Sequence, residues 1–599
     1  METTGKDRRR VDETRRDINL SLVYDIETED WDKFVVGGAY DGTEYRCYDW
    51  RHEEDFVDFL LAQEGNVWAH AGGRFDHLWL LSHVKRRRIP TTVVCAGSRI
   101  VSAKVGKTVL CDSFALTLMS LAKLTETFTT KKMRLSLPCV CGKDCGGYCA
   151  IKRTGMDTTH WCRLKTYLEA DCKSLYGALA ALSTFAAVNN LDLGLTLGSS
   201  ALRNASRFGL AQNRLELSQW RFARLGYHGG RTQIFQSRAE RLTSADIRSS
   251  YPYQMRARDL PSGVPVWAKD WRGKAAIVHA SVTVPDSFCP PLPARAKERV
   301  AYPVGTFAGI WPSPELERAV SLGAKIERVH KALVWPETSR PLAPWIDKIF
   351  ALRAKALRVN KTLATWLKLY ANSLYGKLGA REEHETVFLN PAKIAFCNSR
   401  AKCKRFRGDC GECCHLHCSG ACGSHLEIAP GVFTKSIARI EPTSRPEIAA
   451  FVTAYGRMQL GDALNIAVGP IYCDTDSVFS LGPLPYAKPD AEAGLGDFVD
   501  EGEAFEFEAF APKVYRYRRP DGWKVRSKGF QAEQSALRAD AVFETWGIEG
   551  FRTGVKHELF TKAKRKRTLN VGLGDRVRVD NNLSRAPVAG VDIALELER

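Results

Sequence analysis

Ile471-Tyr472-Cys473-Asp474-Thr475-Asp476-Ser477-Val478-Phe479 sets two aspartates one residue apart between apolar runs. In an extended strand residues i and i+2 share a face, which would hold both carboxylates side by side, roughly 6–7 Å apart at Cα. Two like charges on a half-buried strand repel unless a cation lies between them. The fitting cation is divalent and oxygen-preferring, such as Mg²⁺, which binds through one or two carboxylates and substrate phosphates. A second reading is a hairpin whose Asp-Thr-Asp is turn chemistry. Two other stretches favour the metal site.

The first is Asp246-Ile247-Arg248-Ser249-Ser250-Tyr251-Pro252, after what reads as a strand end. The second is Lys368-Leu369-Tyr370-Ala371-Asn372-Ser373-Leu374-Tyr375-Gly376. On a helix, Lys368, Asn372 and Tyr375 fall at i, i+4 and i+7 on one face. That face offers a cation, an amide and an aromatic ring, which suits a nucleoside triphosphate. Together the three stretches resemble motifs A, B and C of family B DNA polymerases, in that family's order, with Ser250 where motif A usually has Leu. The resemblance implies Asp246 and Asp476 as ligands of two Mg²⁺ ions, with Asp474 assisting. It also implies Lys368 on the triphosphate, Tyr251 excluding a 2′-hydroxyl, Tyr375 lining the nascent base pair, and Asn372 and Ser250 completing the nucleotide site.

A chain of 599 residues has room for several domains. With 87 Lys+Arg against 68 Asp+Glu it carries +19, which fits a polyanionic partner. No apolar run approaches ~18 residues, so no membrane span is expected. Met1 to Asp17 is almost wholly polar and lacks a signal peptide's apolar core, so a cytoplasmic protein is expected. Eleven of the 18 cysteines fall in two short clusters, which in a reducing compartment favours metal over disulfides.

In the amino-terminal third, Leu20 to Thr28 is a strand pattern carrying Asp25 and Glu27 at i and i+2. Asn66 to His70 reads as a second strand, followed by Gly72-Gly73-Arg74-Phe75-Asp76. Tyr167 and Asp171 lie one helical turn apart. Four acids and a tyrosine hydroxyl from separate elements can hold two metals and orient a water for phosphodiester cleavage. The set resembles the three motifs of proofreading 3′–5′ exonucleases, with Ala71 where the second motif usually supplies an Asn that holds the primer end. Lys132-Met133-Arg134-Leu135 and Ser113 resemble minor contributors to the same site.

Other short stretches resemble DNA-contacting motifs of the same family. Tyr227-His228-Gly229-Gly230 matches its template loop, and Thr453-Ala454-Tyr455-Gly456-Arg457 a template-strand motif. Thr475 belongs with the same contacts. Lys513-Val514-Tyr515 and Lys528 match primer-side motifs, and the basic run Lys556 to Arg567 suits a duplex backbone.

The fold class implied is α+β and multidomain, a ribonuclease-H-like exonuclease domain followed by palm, fingers and thumb. The layout is a polar tail (1–17), exonuclease domain (18–188), linker (189–225), first palm segment (226–270) and an inserted subdomain without chemistry (271–343). Fingers (344–380), a Cys/His-rich insertion (381–445), second palm segment (446–512) and thumb (513–599) follow. The insertion carries Cys397, Cys403, Cys410, Cys413, Cys414, His415, His417, Cys418, Cys422 and His425, enough for two tetrahedral zinc sites. Cys139, Cys141, Cys145 and Cys149 form a smaller set inside the exonuclease domain. Compact size and motif spacing most resemble the small protein-primed enzymes of phages and plasmids. A monomer with template DNA, dNTPs and a terminal-protein primer as partners is therefore expected. The alternatives are a conventionally primed polymerase, a chain acting chiefly as a nuclease, or an inactive DNA-binding scaffold.

Overall fold

The strand Leu20–Glu29 buries Leu22, Tyr24 and Ile26 on one face, in a cluster with Phe56, Leu60, Leu80 and Leu81. Val23 points the other way, into a cluster with Cys172 and Leu175 of the helix Thr158–Val188. Alternation puts Asp25 and Glu27 on that second face, toward the same helix. Around this strand the computed structural model builds a mixed ten-stranded sheet. Its order is Leu426–Ala429, Val432–Ala438, Glu383–Leu389, Thr91–Ala96, Arg99–Val105, Thr108–Asp112, Gly65–Ala69, Leu20–Glu29, Lys33–Tyr40 and Tyr45–Asp49. The structure describes residues 18–30, 33–96, 99–128, 148–210, 215–296, 299–380, 383–391, 426–429, 431–438, 443–527, 542–549, 561–568, 576–578 and 585–587.

A second sheet has seven strands, in the order Gly522–Ser527, Val514–Arg519, Phe498–Ala511, Arg238–Ile247, Ser477–Ser480, Pro470–Asp474 and Thr232–Ile234. The helix Pro446–Ile466 covers it, with Leu460, Ala463 and Leu464 buried against Ala245, Ile247, Cys473 and Val478. The helices Ala343–Val359 and Lys361–Leu378 turn back on each other at Asn360. Asn360 caps the second helix by accepting from the Leu363 amide at 2.9 Å, and its side-chain amide donates to Thr127 O at 2.7 Å. One apolar cluster runs from Val23 and Trp68 through Leu179 to Trp345, Trp366 and Tyr370 and on to Ile448 and Phe451, so the first sheet, the helical pair and the start of the helix Pro446–Ile466 share a core. A third sheet of four strands lies within residues 266–335.

Three stretches depart from the expected layout. The linker contains the helices Leu197–Ser206 and Leu217–Leu225, and Leu191, Leu193, Leu197 and Ala201 are fully buried. Polar bonds seal it to the helical pair. Asn204 donates to Asp192 and accepts from the Trp345 indole, both at 2.9 Å, while the Tyr370 hydroxyl donates to Asp192 O at 3.1 Å. The arms of the Cys/His-rich insertion, Glu383–Leu389 and Val432–Ala438, extend the first sheet, Glu383–Leu389 pairing antiparallel with Thr91–Ala96. The hairpin Val514–Ser527, set with the thumb in the sequence, is hydrogen-bonded into the seven-stranded sheet. No helix among the described residues is long and apolar enough to cross a membrane.

Candidate active sites

Asp246 stands near the end of the strand Arg238–Ile247 and pairs in register with Ser477, the residue after Asp476. Asp474, Thr475 and Asp476 do not continue a strand. Pro470–Asp474 ends and Ser477–Ser480 begins around a tight turn, with Thr475 left-handed at φ 67°. The two aspartates therefore meet Asp246 from a hairpin tip, which corrects the same-face expectation and unites the turn with the acid site. The tip is fixed from outside, because the Thr475 amide donates to Arg231 O at 2.6 Å.

These acids line an open cleft of about 590 Å³, walled by Ser249, Ser250, Tyr251, Lys368, Asn372 and Tyr375. Burial, then the charge of Asp476, pushes the Asp246 carboxyl up to about 8, with Lys368 pulling the other way. Burial, then Asp474, raises Asp476 to about 6. The Tyr251 and Tyr375 rings pack with centroids 4.1 Å apart. Ser249 and Ser250 are buried with hydroxyls that have no partner among the described residues, and the same holds for Asn372 Oδ1. The structure thus brings together every residue expected from motifs A, B and C.

Asp474 is held differently from its two companions. Lys513 Nζ and the Thr232 hydroxyl (3.1 Å) bind its Oδ1, and the Tyr472 hydroxyl donates to Oδ2 at 3.3 Å. Tyr515 lies under the same strands, its ring 4.7 Å from that of Tyr472. Lys513, expected at the primer, is committed here to Asp474. Arg457, expected at the template, faces inward with its side chain 1% exposed. Its Nε and Nη2 donate to Glu315 at 2.7 Å each, and Nη1 donates to the carbonyls of His228 (2.7 Å) and Gly229 (2.9 Å). A buried guanidinium needs a carboxylate, and Glu315 supplies it from the region expected to carry no chemistry.

Glu501, Leu118, Tyr517 and Arg526 also line the cleft and were not anticipated. Glu501 sits in an irregularity of strand register between Asp500 and Glu503, where it accepts from the Ser244 hydroxyl at 3.0 Å. Leu118 comes from the amino-terminal unit, left-handed at φ 53° after the short helix Ser113–Thr117. No local pattern marks either residue, since both reach the cleft through tertiary placement.

The second acid set gathers between the first sheet and the helix Thr158–Val188. Asp76 begins the helix Asp76–Arg86, is 3% exposed, and accepts from the Ile26 amide at 3.3 Å. Burial, then Asp25, drives its carboxyl well above the usual range. Tyr167 and Asp171 are buried one turn apart. Asp25, Asp171 and Asp76 all bear on the neighbouring Cys172, whose thiol burial and these charges hold protonated. Glu27 follows Asp25 on the same face. Ala71 is left-handed at φ 59°, and a side chain on Gly73 would place its Cβ 1.8 Å from Ile100 O. Asp112, at the end of the next strand, accepts from the Phe114 amide at 3.0 Å, and burial raises its carboxyl to about 6. Ser113 is fully buried, bonded to His70 at 3.0 Å and Ala69 O at 3.2 Å, so it supports the loop from behind.

Among the described residues no three His, Cys, Asp or Glu side chains form a ready metal cage. The donors at both sites are hard carboxylate oxygens that repel one another, a set suited to Mg²⁺ completed by phosphate oxygens. Lys132 to Leu135, Cys139, Cys141, Cys145, Lys528 and the cluster Cys397 to His425 lie outside the described residues. Cys149 is described, and is partly buried. For the basic run, only the backbone strand Thr561–Thr568, paired with Val542–Glu549, is described.

The family described as DNA polymerase type B, organellar and viral, matches residues 59–408, more than half of the chain. The DNA-directed DNA polymerase of Enterobacteria phage PRD1 is 23% identical over 513 residues, 82% of this chain and 81% of that protein. A protein of Ascobolus immersus named "Probable DNA polymerase" is 25% identical over 372 residues, 59% of this chain and 29% of its own length. A similarly named protein of Neurospora intermedia is 27% identical over 192 residues, 28% of this chain and 19% of its own. The chain thus spans less than a third of the length of these fungal relatives. Phi29 DNA polymerase, solved with primer-template DNA and incoming nucleotide, has a like fold, with TM-score 0.66 over 92% of this chain and 99% of that one at 16% identity.

Proposed function

The chain belongs to the organellar and viral type B DNA polymerases, and from that premise we propose that it copies DNA from a template and edits the product with a 3′–5′ exonuclease. The observation that carries this reading is the meeting of Asp246, near a strand end, with Asp476, at the tip of the neighbouring hairpin, in one cleft lined by Lys368, Asn372 and Tyr375. In this reading the seven-stranded sheet is the palm, the helical pair Ala343–Leu378 the fingers, and the amino-terminal sheet with its long helix a ribonuclease-H-like nuclease. Its motif spacing supports initiation from the hydroxyl of a terminal protein, with a monomer as the working unit.

Asp246 and Asp476 would hold magnesium, which when bound would offset negative charge on the triphosphate and make the primer 3′-hydroxyl a stronger acid. Lys368 neutralises further charge on the triphosphate, so positioning and electrostatics carry the transfer. Ser249, Ser250 and Asn372 Oδ1, buried without a hydrogen-bond partner among the described residues, are waiting groups for the nucleotide. Tyr251, packed against Tyr375 with the rings tilted by 46°, would stand where a 2′-hydroxyl must pass. Lys513 keeps Asp474 occupied, so Asp474 shapes the turn while Asp476 does the chemistry. In the nuclease, Asp25, Glu27, Asp76 and Asp171 would hold the metal, and the Tyr167 hydroxyl would orient the attacking water.

Template-dependent extension of a labelled DNA primer with Mg²⁺ tests the reading. It should be present in the parent and absent in Asp476→Ala; extension by that variant at the parental rate would remove Asp476 from the site.

A further inference from the structure

The inserted subdomain, residues 271–343, grips the backbone loop that precedes the catalytic strands. Arg295 Nη2 donates to Tyr227 O at 2.9 Å, and His228 Nε2 bonds Ile310 O at 3.0 Å. Arg231 donates to Pro290 O at 3.0 Å and stacks on Tyr302 at 4.0 Å. Glu315, 1% exposed, holds Arg457, which in turn holds the carbonyls of His228 and Gly229. From Tyr227 to Arg231, every residue except Gly230 therefore touches the subdomain or its Arg457 bridge. Gly230 instead faces the catalytic centre, where an added Cβ would lie 2.8 Å from both Tyr251 Oη and Thr475 Cγ2. The loop ends at Arg231 O, which fixes the Thr475 amide between the two aspartates.

We propose that Glu315 is a positioning residue for polymerisation, acting through Arg457 to set the Gly229-Gly230 turn and through Arg231 O to set the Asp474–Asp476 tip. The inference deepens the polymerase reading and rests on it. The pair joins two helices, Ser313–Ser321 and Pro446–Ile466, that are far apart in sequence. Its bonds to two loop carbonyls give it a task that a buried ion pair formed only for stability would not need. Replacing both partners by apolar residues of similar volume leaves neither of these two charges buried without the other. The neighbouring Arg231, which also feels the Glu315 charge, keeps its bonds to Gln233 and Pro290 O, so the body of the protein can fold while the loop loses its hold. A 1 Å error in a catalytic group costs about a hundredfold in rate, so a smaller drift of the tip should cost about tenfold or more.

The test compares Glu315→Leu/Arg457→Met with the parent, with Asp476→Ala and the exposed-site variant Arg295→Ala alongside. Melting temperature, single-strand degradation, and kcat and KM for nucleotide on a primer–template are read for each. The double variant should melt near the parent, degrade single strands at the parental rate, and lose at least tenfold in extension kcat. Arg295→Ala should lose about threefold in the same direction, and Glu315→Gln, which keeps one acceptor, should recover part of the loss. Parental kcat and KM in a folded double variant would overturn the proposal. A parallel fall in melting temperature, degradation and extension would reduce the pair to a stabilising contact and overturn it equally. Failure of the parent itself to extend a primer would instead strike the polymerase reading.

Discussion

Gly230→Ala probes how little room the catalytic turn has. The added methyl would sit 2.8 Å from Thr475 Cγ2, 2.8 Å from Tyr251 Oη and 3.1 Å from Thr475 Oγ1. Carbon contacts settle at about 3.5–4.0 Å, so the loop and its neighbours must part by roughly 0.7 Å or more. Tyr251 is braced by Tyr375, and Thr475 is tied to Arg231 O, so neither yields without moving a functional group. Overpacking of this kind costs about 1–3 kcal/mol, which a protein of this size tolerates. The catalytic loss should be larger, because Thr475 separates the two aspartates; a 10- to 100-fold fall in kcat is expected, at about 1.4 kcal/mol per factor of ten. Gly229→Ala is the control, since a Cβ there meets nothing within 4 Å. It should leave kcat alone and affect only primer–template affinity. Single-nucleotide extension under saturating DNA reads both constants. Equal kcat for the two variants would refute the claim that the Gly230 contact positions the acids.

Ala71→Asn should raise both stability and single-strand degradation. Asn tolerates the left-handed backbone found at Ala71 better than Ala does, for a gain of up to about 1 kcal/mol. A melt and a degradation assay check the two effects, and a lower melting temperature would contradict the backbone argument. Tyr251→Val should open the 2′ position and raise ribonucleotide incorporation by about an order of magnitude; an unchanged sugar preference with reduced stability would make Tyr251 a core aromatic instead. Duplex affinity should fall with salt, with a log–log slope of roughly −4 to −5 if about five phosphates are neutralised. A flat dependence would argue against the basic carboxy-terminal segment as a duplex contact.

Local pattern carried some of this site and tertiary placement the rest. Helical spacing was enough to align Lys368, Asn372 and Tyr375, and strand alternation enough to put Asp25 and Glu27 on one face. The same alternation misplaced Asp474 and Asp476, because a carbonyl at Arg231, more than 240 residues earlier, bends the chain at Thr475. Arg457 was legible as a motif residue but not as a buried one, since its carboxylate partner lies 142 positions away. The stretch after Asn190 read as a connector for a similar reason: Asp192 and Asn204 look like loop residues until Trp345 and Tyr370 bury them. Strand pairing between Thr91–Ala96 and Glu383–Leu389 leaves no trace in either segment alone. Leu118 and Glu501 enter the cleft by position in space, and nothing beside them in sequence announces it.

On the function proposed above, one chain holds two separate carboxylate sites, one that builds DNA and one that removes it. A single gel can measure both, with a labelled primer–template and Mg²⁺, with and without dNTPs. Asp476→Ala should shorten the primer under both conditions and never lengthen it. Asp25→Ala/Glu27→Ala should lengthen it with dNTPs and leave it intact without them. Loss of both activities in either variant, or retention of extension in Asp476→Ala, would contradict two independent sites.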